Sequence, residues 1–477
     1  MAKKNNNTII IVIILIIIAI FIFSKIGDKD KTDRFRIPII SDIIDNIPQI
    51  QDDIQIEPPI SGEVLAFPGA QGFGKNSLGG RGGDVYFVTT LNPTGAGSIS
   101  ECVQASGPRT CVFKVSGIID FGNAGGELKI NNPYITIAGQ TAPGEGITLK
   151  TTHLQVSTHN VIIRGIRSRM GNLPSALIGD SRDSITIGDK TDKEIYDVII
   201  DHCSVSWSID ENIEVISENV HGVTVQNCYI AEALDCANAG HSKVCHSKSF
   251  SKHSGGATDV TYYRNVVAHG IDRNPQMMGP GNLEVINNVV YNYGYSGRFG
   301  NDIQLHFIGN RYVPGPDSLS NKGLVYDDRA SALTKVYVQG NVGPGRLTNT
   351  GDEWLISGAP TSFRSTTYLF TPQTTAEDVD SIWLSILDEA GALPHDDVDE
   401  RIKNEILTGT GKVIDTQDEV GGWSVLNSLP APLDSDNDGM PDTWELANGL
   451  DNNLEDNNLD KDNDGYTNIE EWINSFY

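Results

Sequence analysis

Two twelve-residue stretches near the C-terminus carry the sharpest chemical signal. In Asp434-x-Asp436-x-Asp438-Gly439-x-x-Asp442-x-x-Glu445, oxygen ligands fall at positions 1, 3, 5, 9 and 12, with glycine at position 6. Asp460-x-Asp462-x-Asp464-Gly465-x-x-Asn468-x-x-Glu471 repeats that arithmetic. A hard divalent cation wants converging oxygens and glycine permits the sharp turn, so both stretches read as EF-hand-like Ca²⁺ loops. The bland alternative is a solvated acidic tail, since Asp434 to Tyr477 holds thirteen acids against one lysine. Two full matches weigh against it. The module offers no nucleophile or cleft, so its role is structural or docking.

A second set of acids, Asp180, Asp183, Asp201, Asp210 and Glu211, falls on or beside two neighbouring strand units in mid-chain. Surface carboxylates are common, so spacing alone weighs a solvated edge and a metal site equally. Lys243, Lys248, Arg264, Arg273 and Arg298 follow on later units. A polyanionic sugar needs such cations beside it, and uronate carboxylates bridge well through Ca²⁺. His241, His246 and His253 invite a zinc reading, but their spacing misses the common ligand patterns. They are read as core or loop histidines.

The elements that must position these residues are short strands. Ile195 to Asn212 begins as a β-branched run, passes Asp201-His202 and ends on Asp210-Glu211 in a Ser-rich turn. The same unit recurs at Ile135–Gly139, Val161–Gly165, Val223–Asn227, Val260–Asn265, Glu284–Asn288, His306–Asn310 and Val336–Asn341. A period of about two dozen residues built from short strands marks a solenoid, because one coil cannot bury its own apolar face and must stack on the next. Hairpin turns of the Asn-Gly or Asp-Gly kind are lacking between these units, which argues against a propeller. The fold class is therefore all-β: a right-handed parallel β-helix with flanking helices and a small C-terminal calcium-loop module. Recurrent Asn at the turns predicts amides stacked from coil to coil. Helical periodicity over 376–390 and 398–407 predicts two helices against the solenoid's flank or end.

The organisation divides into residues 1–25, a signal peptide or membrane anchor; 26–62, an extended Ile/Asp/Pro linker; 63–430, the β-helix with its helices; and 431–477, the paired loops. The apolar run Ile9 to Phe23 is short for a membrane span, and no small-x-small cleavage site follows it. Export with a retained anchor is expected, with a cleaved signal as the alternative, so the chain would be secreted or held at the cell surface. Six cysteines fit an oxidising compartment. Cys102 with Cys111 and Cys236 with Cys245 could each close a local bridge, while Cys203 and Cys228 read as buried thiols. A net charge of −27 argues against nucleic acid.

These motifs resemble the pectate lyases of polysaccharide lyase family 1. The likeness runs from Ala66-Phe-Pro-Gly-Ala-Gln-Gly-Phe-Gly through Val198-Ile-Ile-Asp-His-Cys-Ser-Val-Ser-Trp-Ser-Ile-Asp-Glu and Asp272-Arg-Asn-Pro275 to Glu419-Val-Gly-Gly-Trp423. The resemblance implies a monomeric lyase that cleaves polygalacturonate by β-elimination with Ca²⁺ as cofactor. It places Arg273 as the base and Lys243 beside it, and Asp183 and Glu211 on Ca²⁺. Asp180 and Asp210 are expected as further metal ligands, and Arg298, Lys248 and His202 as substrate contacts. Two departures stand out: Asp180-Ser-Arg-Asp183 replaces aspartates one residue apart, and Met277-Met278 stand where a second Arg commonly follows the Pro. The rivals are a β-helical hydrolase, with Asp201 and Asp210 as its carboxylate pair, and a non-catalytic polysaccharide-binding surface protein.

Overall fold

The computed structural model describes residues 64–122, 126–172, 180, 182–191, 193–237, 241–243, 245–253 and 255–477. The Ile9 to Phe23 run and the 26–62 linker lie outside the described residues. Among the described residues no helix is long and apolar enough to cross a membrane.

Strands stack into three parallel sheets. Sheet A has eleven strands, from Asp84–Val88 to Arg364–Ser365; sheet B has eight, from Gly117–Asp120 to Arg311–Val313; sheet C has eight, from Glu127–Ile130 to Leu324–Tyr326. One coil visits all three. Ile195–Asp201 lies in sheet A, Ser204–Ser206 in B and Glu211–Val215 in C, and the chain then re-enters A at Val220–Gln226. The re-entry aligns Ile200 with Val225, so identical phases of successive coils face the same way. Ile137, Ile163, Ile200, Val225 and Tyr262 form one such inward column, fully or almost fully buried. Each large apolar side chain buried in this way contributes roughly 1.5–3 kcal/mol, which offsets the ordering of a chain with few helices. This is the expected parallel β-helix.

The turn from A to B explains the recurring small or amide residue. Its first position holds a left-handed backbone, with φ +48° at His202, +50° at Asn227, +67° at Gly165 and +62° at Gly309. Glycine reaches that region without penalty and Asn more easily than most residues. The amide ladder sits one residue on. Asn265 Nδ2 donates to Asn288 Oδ1 (3.0 Å), Asn288 to Asn310 (3.0 Å) and Asn310 to Asn341 (2.9 Å). Asn227 is not part of it; its amide donates to Asp201 Oδ1 at 3.0 Å. Cys203 and Cys228 are free and buried, as expected. Cys102 bonds to Cys111 and Cys236 to Cys245.

The two predicted helices span Val379–Glu389 and Asp397–Thr408. They cover the outer face of sheet B, where Ile386, Leu387, Ile402 and Ile406 pack on Trp207 and Tyr229. The C-terminal module adds short helices, Asp442–Asn448 and Asn468–Asn474. Met440, Ile469, Trp472 and Ile473 seat it on Val112 and Ala138, on the outside of sheet A. The module is thus docked on its own chain.

Candidate active site

Sheet C carries the chemistry because the B-to-C connections are the long ones. They bring Asp183, His241 and His246 beside Asp210, next to a sheet whose outer face is polar. Along that face Thr186, Glu214, Ser251, Gln276 and Arg298 align in register, one per coil. Gln276 Nε2 donates to Ser251 Oγ (3.2 Å) and Arg298 Nη2 donates to Gln276 Oε1 (3.0 Å), which fixes the row as a rigid floor.

At one end of the floor the carboxylates gather. Oxygens of Asp183, Asp210 and Glu211 lie within 4.8 Å of one another. The Glu211 N–H donates to Asp183 Oδ1 (2.9 Å) and the Thr186 hydroxyl donates to Asp183 Oδ2 (2.9 Å), so Asp183 is positioned by the strand it leads into and by the strand of the next coil. Burial, and then the charge of Asp210, push the Asp183 carboxyl up to about 8. Glu214 is raised well above the usual carboxylate range by burial and by the charges of Asp183 and Asp210. Burial also works to raise Asp210, but the hydrogen bond and charge of His246, with His241 and Arg273, outweigh it and hold the group low. Buried carboxylates that oppose one another's ionisation are the donor set a hard, oxygen-seeking divalent cation relieves, so the residues fit Ca²⁺.

At the other end cations gather. Lys248 Nζ lies 2.8 Å from Asp272 Oδ2, and Arg298 stands 3.5 Å from both Asp272 and Asp327. Arg329 pairs with Asp327 at 2.7 Å. Arg273 lies between the two ends. It forms an ion pair with Glu211 and keeps 15% of its side chain exposed. Its backbone is left-handed (φ +60°), and its N–H donates to Asp272 Oδ1 (2.8 Å). Burial lowers Arg273 to about 10. Arg298 and Arg329 push the same way, while Asp210 and Asp183 oppose it. An arginine so placed reaches its neutral, basic form at lower pH than a free one.

The other expected site residues fall elsewhere. His202 is not on this face: it occupies the A-to-B turn, stacks on the Tyr477 ring (centroids 3.9 Å apart) and lies 2.7 Å from Asp201. Asp201 is buried at the same turn and holds Arg164 at 2.8 Å, so it belongs to a packing network remote from the B-to-C turn of Asp210. That separation removes the Asp201–Asp210 pair a hydrolase would need. Arg264 pairs with Glu377 and Glu389 near the helix Val379–Glu389. Asp180 stands on the rim, accepting from the Ser242 N–H (2.5 Å) with His241 3.6 Å away. Lys243 is exposed, its N–H donating to His241 Nδ1 at 2.9 Å. His241 and His246 brace Asp210 at 3.4 and 2.8 Å. The sequence reading missed Glu214, Asp272 and Asp327. Strand alternation was the available signal for Glu214: with Ile213 and Val215 in the core, Asp210 and Glu214 share the outward phase.

In the C-terminal loops, Asp442 and Asn468 do not face the loop centres. Each opens a helix and turns its side-chain oxygen to the second loop residue, accepting from the N–H of Ser435 (2.7 Å) and Lys461 (3.2 Å). Asp456, from beyond the first loop, brings its carboxylate within 4.8 Å of those of Asp438 and Glu445.

Fold and site define a class: a parallel β-helix whose sheet C carries a polar row with carboxylates gathered at one end and cations at the other. No family model matches the chain. Relatives are extensive, however. The probable pectate lyase C of Emericella nidulans is 34% identical over 430 residues, spanning 86% of this chain and 93% of that one. That of Aspergillus terreus is 33% identical over 433 residues, spanning 86% and 94%. Among solved structures, a pectate lyase bound to a hexasaccharide superposes with a TM-score of 0.50 at 16% identity, over 70% of this chain and 98% of that one, a likeness of fold. The chain belongs to the pectate lyase family.

Proposed function

We propose that this chain cleaves polygalacturonate by β-elimination, with Arg273 as the base. The observation that carries this reading is the position of a largely buried arginine, lowered to about 10, between a buried acidic cluster and a row of cations. The C5 proton of a galacturonate lies α to a carboxylate, so removing it builds enolate-like charge. Arg273 takes that proton. The C5–H electron pair forms the C4=C5 double bond, the C4–O bond breaks, and the departing oxygen gains a proton from solvent. Asp183, Asp210 and Glu214, with Glu211 beside Arg273, would hold Ca²⁺. When bound, the ion neutralises the uronate carboxylate and favours the charge that grows on it. Lys248, Arg298 and Arg329 pair with neighbouring uronates and fix the register of the chain. The two disulfides fit an oxidising compartment, and hence export.

The deciding measurement is product absorbance from polygalacturonate with Ca²⁺ and again after chelation. The expected result is an unsaturated, ultraviolet-absorbing product that chelation abolishes. New reducing ends without absorbance would establish hydrolysis, and retention of polymer without turnover would establish a binding protein; either overturns the reading.

A further inference from the structure

We propose that the first acidic loop of the C-terminal module binds a calcium ion that clasps the module onto the outer face of sheet A, so that calcium stabilises the first coils independently of the groove. The observation that points to a ligand is Glu445. Its side chain is 0% exposed, and neither carboxylate oxygen receives a hydrogen bond. Asp434 Oδ1 and Asp436 Oδ2 are also buried without a donor. Oxygens of Asp434, Asp436 and Asp438 converge within 4.8 Å, and those of Asp438, Glu445 and Asp456 do likewise, with Asp438 common to both groups. Burying several carboxylate oxygens without donors is costly unless a cation satisfies them. Ca²⁺ accepts six to eight oxygens in flexible geometry, whereas Mg²⁺ demands a tight octahedron and retains water, so the set favours Ca²⁺.

The same loop also touches the coils. Lys114, just past the strand Arg109–Phe113 of sheet A, holds Asp434 at 2.9 Å. Gly439 has φ +108°, and a Cβ there would stand 3.1 Å from Val85 Cγ1. Met440, the next residue, is fully buried in the cluster with Val112 and Ala138. Asp456 ties the loop to the second half of the module, its N–H donating to Asp438 Oδ2 (3.2 Å). In that half Glu470 is gripped through both oxygens by Arg81, which precedes the first strand of sheet A (2.8 and 3.0 Å). The ion therefore sets the loop shape that presents Gly439 and Met440 to sheet A. Without it, five carboxylates converge with Lys114 as their paired cation, and the contact loosens.

The test is Ca²⁺-dependent thermal unfolding and limited proteolysis of the full chain, comparing wild type with Glu445→Gln and with Asp183→Asn as a groove control. Wild type should gain about 5 °C when Ca²⁺ reaches about a hundredfold excess over its Kd, and stripping Ca²⁺ should open a protease site before Asp434. Glu445→Gln should unfold at or above the wild-type temperature without Ca²⁺, because a buried unpaired charge is gone, and below it with Ca²⁺. Asp183→Asn should keep the Ca²⁺-dependent protection of the site before Asp434 and lose at most the groove ion's share of the thermal gain. If Glu445→Gln does not fold, Asp436→Asn carries the same comparison. Equal Ca²⁺ responses in wild type and either tail variant, or loss of the response in Asp183→Asn alone, would overturn the proposal. Neither readout depends on turnover, so failure here is separate from failure of the lyase reading.

Discussion

Replacing Arg273 by lysine separates a catalytic arginine from a structural one. Arg273 is 15% exposed and its partner Glu211 3% exposed, so removing the positive charge outright would strand a buried carboxylate at about 3–5 kcal/mol. Lysine keeps that charge next to Glu211 and Asp210, so Arg273→Lys should stay folded with a smaller loss. Turnover should behave differently. Lysine is a shorter, strongly hydrated point charge and cannot reproduce the planar fork. Loss of general-base action costs about 10²–10⁴ in rate, or about 2.7–5.4 kcal/mol of barrier. A surface ion pair is worth at most about 1 kcal/mol and would leave turnover nearly intact. The assay is the initial rate of unsaturated-product absorbance, with thermal unfolding and Ca²⁺-dependent polymer binding as controls. A folded, binding-competent Arg273→Lys enzyme retaining more than about a tenth of the wild-type rate would refute the reasoning.

Three further outcomes are expected. Because burial lowers Arg273 to about 10, the neutral fraction grows as pH rises toward that value; kcat/KM should climb by about tenfold per pH unit between about pH 7 and 9, and a flat profile would contradict the assignment. Glu214→Gln removes a carboxylate whose ionisation Asp183 and Asp210 oppose, so it should raise the Ca²⁺ needed for half-maximal activity by about tenfold or more, read by titrating Ca²⁺ into chelator-treated enzyme. Asn288→Ala deprives the Asn265 N–H and amide of their acceptor and the Tyr262 carbonyl of a donor, so it should lower stability by about 3 kcal/mol in urea unfolding while leaving the groove intact; an unchanged midpoint would show that the ladder is energetically idle.

What the sequence determined by itself was whatever depends on local repetition. A strand unit recurring about every two dozen residues can bury its apolar face only against a copy of itself, so Ile137, Ile163, Ile200 and Val225 dictate a stack before any contact is known. The Gly and Asn residues at the A-to-B turn follow from one left-handed backbone position, and the convergence of Asp434, Asp436 and Asp438 from their spacing within one short loop. Only the tertiary structure decided which faces these residues occupy. Asp201-His202 and Asp210-Glu211 are neighbours in sequence, yet a coil with three corners sends the first pair to the A-to-B turn and the second to sheet C. Asp456, outside the twelve residues of the first loop, comes beside Asp438 and Glu445, whereas Asp442 accepts from the Ser435 N–H at the start of a helix. Lys248, Asp272 and Arg298 come from successive coils, and their pairing depends on coil-to-coil register. Register is set by the packed interior as a whole, so residues two dozen positions apart meet only once every coil beneath them is in place.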